Sequence, residues 1–383
     1  MTIIINALDI IDANGLNLTD SVANYKKGNA ANSSRYTEEQ VSGLSKYDVP
    51  ATTEEIDKEL QLLGFNELYM TRQIKLPVLT ALRACHGLKL PKNTAVIGTT
   101  LEGSSDVKFD IWKAFEQKKS RISPKLCAIG TASTICTTVS RTLKLTGPSL
   151  MITQACSGFL TALSIAESML ITRVVDTAIV IGVESTTPIS AFIFNSMGVY
   201  TKDNVMPFDK NRSGMALGEG AVCYVITRED FAQKYVAKIK KISLYNDFYN
   251  LTSPSPDGSA GLYLLQNLGA FENKIDSFNC HATSTKVGDD IELKSLEQLP
   301  YETSIYGLKG SLGHTLAASA GIETAYSIVG MQEGWIPYTS LTTDPLLTKH
   351  DIVLHNIKKQ DTSNFIKLSF GFGGVSAGIL VEK

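Results

Sequence analysis

A chain of 383 residues with 43% hydrophobic and 19% charged side chains has the make-up of a globular protein with a large core, either one big α/β unit or two medium ones. Its net charge of −2, with Lys and Arg scattered along the chain, argues against a nucleic-acid surface. No stretch reaches the roughly 20 apolar residues of a membrane span, and the opening MTIIINALDIIDANG lacks the basic n-region and small-residue cleavage site of a signal peptide, so a cytoplasmic protein is expected.

No low-complexity segment or linker interrupts the chain, and strand-like apolar runs alternate with helical periods as in layered α/β folds. In chain order, strands are expected at 94–98 (TAVIG), 149–153 (SLMIT), 177–182 (TAIVIG), 221–226 (AVCYVI) and 237–244. Further ones follow at 275–280, 304–306, 351–355, 365–369 and 377–381. The clearest helices are 157–171 and 315–332, the second rich in Ala. Both are apolar nearly all round, which places them between sheets. Each half of the chain carries strands, a buried helix opening just after a reactive-looking residue, and a returning strand; the echo falls short of a sequence repeat.

The six cysteines are Cys85, Cys127, Cys136, Cys156, Cys223 and Cys280. None forms a C-x-x-C pair, which argues against a zinc knuckle or a redox dithiol. Most are expected to be reduced, buried fillers. Cys156 differs. SLMIT, then Gln154 and Ala155, then CSGFLTALSIAESM read as strand, tight turn and helix, the layout of a nucleophile elbow. A helix N-terminus there is expected to lower the thiol pKa. Taken alone, the pattern more often marks a small buried residue at a crowded turn.

Three more stretches offer chemistry. In FNCHATSTKVGDDIEL, residues 278–293, a strand ends beside His281, and Thr283, Ser284 and Thr285 follow with hydroxyls; a histidine at a strand end is also commonly structural. In YGLKGSLGHTLAASAGIETA, residues 306–325, Lys309 and His314 sit in a Gly-rich loop before a helix. The helix terminus should keep His314 neutral and able to donate. The loop lacks the spacing of a P-loop. In KLSFGFGGVSAGILVEK, two strands flank Gly371-Phe372-Gly373-Gly374, either a plain hairpin turn or a mobile aromatic gate. His86, His350 and His355 lie in no comparable context and are read as surface or structural. Together these elements supply a thiol, two imidazoles and an ammonium with no metal-ligand pattern in the sequence, which suits a thiol nucleophile with paired donors for an oxyanion.

On these blocks, and on MPFDKNRSGMALGEGAVCYVI at 206–226, the chain resembles the β-ketoacyl-acyl carrier protein synthases, the decarboxylating condensing enzymes of fatty acid and polyketide synthesis. The resemblance implies a thiolase-like α/β fold, a five-layer αβαβα unit of two mirrored halves, with residues 1–230 carrying the nucleophile and residues 231–383 the two histidines. It implies Cys156 as the acylated nucleophile, His281 and His314 as the pair assisting malonyl decarboxylation, and Lys309 as electrostatic support. Glu323 corresponds to a buried supporting glutamate. Thr283 and Thr285 correspond to threonines contacting the phosphopantetheine arm. Phe372 corresponds to the gate, its N–H joining that of Cys156 as oxyanion donors. No metal and no free cofactor is implied, since substrates ride on an acyl carrier protein, and the subunit is expected to form a homodimer or a heterodimer with a chain-length-factor relative.

Three departures stand out. The start INALDIIDANG replaces the family's T-G-x-G turn, Met206 stands where Arg usually precedes Pro207, and Val375-Ser376 replace Thr-Asn after GFGG. They point to a specialised pathway, a polyene or aromatic polyketide. Two other readings are carried: a non-catalytic chain-length partner, which would typically have lost the nucleophile, and an acyltransferase or thioesterase using the thiol without condensation. Arg72 and Lys75 are candidate carrier-docking residues by approximate position, and residues 191–200 candidate tunnel lining.

Overall fold

Eleven strands form one hydrogen-bonded sheet. In chain order they are β1 (Ile3–Ile11), β2 (Ala95–Thr99), β3 (Ser149–Ile152), β4 (Thr177–Glu184), β5 (Gly220–Arg228), β6 (Ala237–Asn246), β7 (Ser277–Asn279), β8 (Ser304–Tyr306), β9 (Asp351–Ile352), β10 (Asn364–Phe370) and β11 (Val375–Glu382). The computed structural model describes residues 2–28, 33–67, 69–119 and 121–383. All ten expected strands form, with shifted ends. β1 was not anticipated, because IIINALDII is buried along both faces and shows no clean alternation.

The spatial order is β9-β8-β7-β10-β11-β6-β1-β5-β4-β2-β3. Numbered from its own first strand, each half repeats one arrangement: β3-β2-β4-β5-β1 in the first and β8-β7-β10-β11-β6 in the second, with β9 added at the edge. The senses repeat too, parallel through the first three strands of each series and antiparallel through the last. The halves join where β1 pairs antiparallel with β6, Ile3 opposite Ile239 and Ile5 opposite Ala237.

Alternating side chains send each half's sheet into two cores, which gives five layers. Helices α1 (Arg72–Ala84) and α2 (Ser133–Thr142) cover the outer face of the first half around Ile74, Leu79, Val139, Ile179 and Cys223. Between the sheets lie α3 (Gly158–Ile171) and α6 (Ser319–Glu333), packed around Phe159, Leu163, Val180, Ile322 and Ile379. Helices α4 (Ser259–Asn267) and α5 (Lys286–Leu296) cover the second half around Leu264, Phe278, Leu296 and Ile366. The two central helices meet so closely that a Cβ on Gly321 would lie 2.7 Å from the Phe159 ring.

Each central helix is entered through a 3-10 turn, Ala155–Ser157 before α3 and Leu316–Ala318 before α6. The first residue of each turn is left-handed, φ 44° at Ala155 and 43° at Leu316. The second position is Cys156 in one turn and Ala317 in the other. Among the described residues, no helix is long and apolar enough to cross a membrane.

Candidate active site

The left-handed turn at Ala155 presents Cys156 at the N-terminal end of α3, and two hydroxyls anchor it to the β10–β11 hairpin. Ser369 Oγ donates to the Cys156 carbonyl at 2.9 Å, and Ser157 Oγ donates to the Val375 carbonyl at 2.8 Å. His314 arrives from the second half. It follows the short helix Lys309–Leu312, and its backbone N–H donates to the Ala216 carbonyl at 2.8 Å. Its Nε2 lies 3.1 Å from Cys156 Sγ. His281 follows β7, and its ring centre is 5.3 Å from that of His314 at an angle of 80°. Three separate segments thus converge as expected. The metal-free spacing of the sequence does not carry over into space: donor atoms of Cys156, His281 and His314 all lie within 4.8 Å of one another, a cluster that a thiophilic ion could enter.

Charged groups sit behind the imidazoles. Lys309, fully buried, donates to Glu323 Oε1 at 2.8 Å and to the His281 carbonyl, and its Nζ faces His281 Nδ1 at 3.5 Å. Burial opposes the charge on Glu323, but Lys309 and Lys367 hold its carboxyl at about 2. Both imidazoles are held well below the usual histidine range, by burial first and then by Lys309. His314 is therefore neutral, as the sequence suggested, with burial and the nearby Lys309 ammonium as its leading causes. The expectation for Cys156 is reversed. Burial pushes its thiol up to about 12, with Lys309 pulling only partly the other way. In the resting site the sulfur is a thiol, and His314 Nε2 stands 3.1 Å away as an acceptor for its proton.

A cavity of about 400 Å³ is walled by Cys156, His281, His314, Thr283, Thr285 and Phe372, with Phe194, Val199 and Met215 among its apolar lining. The Thr283 and Thr285 hydroxyls lie 2.9 Å apart, and Thr285 also caps α5 by accepting from Gly288 N–H at 3.2 Å. Phe372 stacks obliquely on Phe194 at 6.0 Å. Its loop is a tight hairpin turn: Gly374 has φ 80°, and a Cβ there would collide with the Asp247 carbonyl. Of residues 191–200, Phe194, Gly198 and Val199 line the cavity, whereas Phe192 and Ile193 are exposed.

Arg72 and Lys75 are not surface docking groups. Arg72 holds both carboxylate oxygens of Glu219 through one guanidinium edge, Nε at 2.6 Å and Nη2 at 2.8 Å, and Lys75 is buried against Asp57 at 2.7 Å. Met206 donates its backbone N–H to Ser284 Oγ at 2.9 Å. His350 is buried with its ring on the Leu296 carbonyl, and His86 and His355 are exposed, in line with the structural or surface reading.

Four residues escaped the sequence reading. Glu292 accepts from the N–H groups of His281 and Ala282 at 2.6 and 2.7 Å, and Asp289 from those of Ser284 and Phe208 at 3.0 and 2.8 Å. Both stand on α5, in the quoted run GDDIEL, at a spacing that turns them to one helix face. Ser369 and Lys367 belong to β10, where a lysine inside FIKLSF was the available signal.

Family comparison agrees with this geometry. The model described as "Beta-ketoacyl synthase, N-terminal domain" matches residues 21–232, and "Beta-ketoacyl synthase, C-terminal domain" matches residues 236–342. A putative mitochondrial 3-oxoacyl-[acyl-carrier-protein] synthase of Schizosaccharomyces pombe is 32% identical over 195 residues, 46% of each chain. The 3-oxoacyl-[acyl-carrier-protein] synthase 2 of Rhizobium meliloti is 28% identical over 263 residues, 63% of this chain and 62% of the relative. Against these two, the chain spans less than two thirds of the relative's own length. The Vibrio harveyi synthase 2 is 26% identical over 324 residues, 78% of each. Among solved structures, the ishigamide ketosynthase/chain length factor superposes with a TM-score of 0.90 at 22% identity, covering 100% of this chain and 99% of that one. The Xenorhabdus doucetiae ketosynthase ApeO, in complex with its chain length factor ApeC, gives 0.83 at 19%, covering 100% and 98%. At such identities the structural likeness is one of fold, the thiolase-like α/β fold of two repeated halves. With both family models matched in order along most of its length, the chain belongs to the β-ketoacyl synthase family.

Proposed function

We propose that the chain is a β-ketoacyl-acyl carrier protein synthase that elongates an acyl chain by two carbons. The observation that carries this reading is the 3.1 Å approach of His314 Nε2 to Cys156 Sγ, with His281 beside it on the same cavity wall. In the first half-reaction the Cys156 proton passes to His314 Nε2 as sulfur attacks the acyl thioester. The tetrahedral oxyanion is held by the N–H groups of Cys156 and Phe372. The carbon–sulfur bond to pantetheine breaks, and the departing thiolate takes the proton from His314. In the second, malonyl thioester loses CO₂, and the electron pair left behind becomes an enolate whose oxygen accepts from both neutral imidazoles. An ammonium can only donate, so Lys309 opposite His281 Nδ1 favours the tautomer with its proton on Nε2. His314 Nδ1 has no protein partner among the described residues, which leaves that ring free to carry its proton on either nitrogen. The enolate carbon then attacks the acyl carbon on Cys156, and the sulfur leaves as a thiolate that takes up a proton from water to restore the resting thiol.

Thr283 and Thr285 at the cavity wall suit contacts to the phosphopantetheine arm. Substrates delivered on a carrier, with thiol and imidazole doing the chemistry, call for no free cofactor. The repeated strand order supports a division into residues 1–230, bearing the nucleophile, and residues 231–383, bearing both imidazoles. β3 is an open sheet edge, and exposed apolar side chains at Leu150, Trp112, Phe115, Phe192 and Ile193 are of the kind a second subunit covers. That subunit would be a copy of this chain or a related chain length factor. The reducing cytoplasm suits a catalytic thiol.

The test is intact-mass analysis after incubation with acyl carrier proteins, followed by malonyl carrier protein. An acyl adduct on Cys156, CO₂ release and a β-ketoacyl product are expected. Adduct without CO₂ or product would turn the reading to a simple acyltransferase or thioesterase. Full activity of a complex carrying Cys156→Ala would turn it to a non-catalytic chain-length partner.

A further inference from the structure

Strand β10 interrupts its own hydrophobic pattern. Lys367 stands between buried Ile366 and Leu368 and is itself fully buried. Parallel pairing sets Lys367 opposite Asn279 of β7. Its Nζ donates to Asn279 Oδ1 at 2.9 Å, to the Cys280 carbonyl at 2.9 Å and to Glu323 Oε2. An ammonium has three N–H donors, and these three oxygens use them all.

The surroundings give this cation a task. Glu323 is shared between two lysines, Oε1 with Lys309 and Oε2 with Lys367. Lys309 also holds the His281 carbonyl, Lys367 the Cys280 carbonyl, and Glu292 the N–H groups of His281 and Ala282. Both peptide groups flanking His281 are therefore gripped by charge-assisted hydrogen bonds. They need to be, because Ala282 sits at φ 39°, a left-handed conformation unfavourable for a residue with a Cβ.

We propose that Lys367 is a positioning residue: a cation built into the chain that fixes Glu323 and the Cys280 carbonyl, so that Lys309 stays aimed at His281 and the imidazole keeps its place. The function given to His281 rests on the ketosynthase reading; the cradle around Lys367 does not. A carboxylate oxygen, an amide oxygen and a peptide carbonyl converging on one buried point form a site that a small monovalent cation would fill if the lysine were cut back. The same charge helps keep both imidazoles neutral, after burial and Lys309.

The experiment compares Lys367→Ala, which empties the cradle, with Lys367→Met, which fills it without charge. In K367A, malonyl decarboxylation is expected to fall about 100-fold, the scale of a misplaced reacting group, while Cys156 still accepts an acyl group. Added ammonium or methylammonium should raise both its decarboxylation rate and its melting temperature with saturation. Tetramethylammonium at equal ionic strength should do neither, and K367M and the unaltered protein should not respond. K367A or K367M decarboxylating at the unaltered rate overturns the proposal. So does a K367A protein that loses acylation and decarboxylation alike and shows no melting response to ammonium. Should K367A fail to fold, K367M decides through the ratio of the two partial reactions. Should the unaltered protein fail to decarboxylate, the ketosynthase reading falls, and the ammonium-dependent melting of K367A still judges the cradle.

Discussion

Replacing Glu323 with Gln probes the charge network while keeping its volume. Burial alone would raise this carboxyl, yet two ammonium groups hold it at about 2, against an ordinary value of 4.5. That gap corresponds to about 3 kcal/mol of stability at pH 7, in the range for breaking a buried ion pair from one side. The sign follows from the depressed value. The contribution is complete above about pH 4.5 and is lost as pH falls through about 2, leaving about 1 kcal/mol at pH 3. Urea unfolding of both proteins at matched concentration, followed by circular dichroism, should therefore show E323Q less stable by about 3 kcal/mol at pH 6, with the deficit easing toward pH 8 because burial brings the Lys367 ammonium down to about 8. The deficit should shrink steadily below pH 4.5. A deficit under about 1 kcal/mol at pH 7, or one as large at pH 3 as at pH 7, would show that Glu323 is not the counter-ion of Lys309 and Lys367.

Other outcomes follow from the same site. With the Cys156 thiol pushed up to about 12, its alkylation by iodoacetamide should climb about tenfold per pH unit from 7 to 10; a plateau below pH 9, read by mass spectrometry, contradicts that burial. Zinc should shield Cys156 from alkylation, more tightly as pH rises because the Cys156 thiol must lose its proton while both imidazoles are already neutral, and a chelator should reverse the effect. Unchanged labelling in excess zinc would deny the cluster any metal affinity. Gly321→Ala drives a methyl into the Phe159 ring, with an expected cost of about 1–3 kcal/mol; an unaltered melting temperature would mean that α3 and α6 are less tightly engaged than described.

Much of this was legible in the sequence because its signals are local. A strand, a turn and a helix around Cys156 are spelled in one continuous run, and the HATST and KGSLGHT blocks carry their histidines with their loops. What escaped depends on three-dimensional surroundings. The helix terminus at Cys156 is written in the sequence, but the burial that outweighs it is not, so the thiol pKa was expected on the wrong side. Arg72 and Lys75 look like a basic helix face until Glu219 and Asp57, distant in the chain or on another helix, arrive to pair with them. Lys367 meets its acceptors only when β10 lies against β7 and α6. β1 hid for the opposite reason, since burial on both faces erases the alternation that marks a strand.

The twin turns at Ala155 and Leu316 carry a further consequence. One design of bend, used twice, brings two helix starts to the middle of the molecule, yet only one bears a sulfur. Its counterpart offers the methyl of Ala317, which a Cβ on Gly158 would approach to 3.3 Å. A scaffold of matched halves thereby acquires a single handed chamber, with a sulfur on one side and a methyl on the other. The two bends differ in the side chain at one position, a thiol at Cys156 and a methyl at Ala317, while the backbone keeps the same turn in both halves.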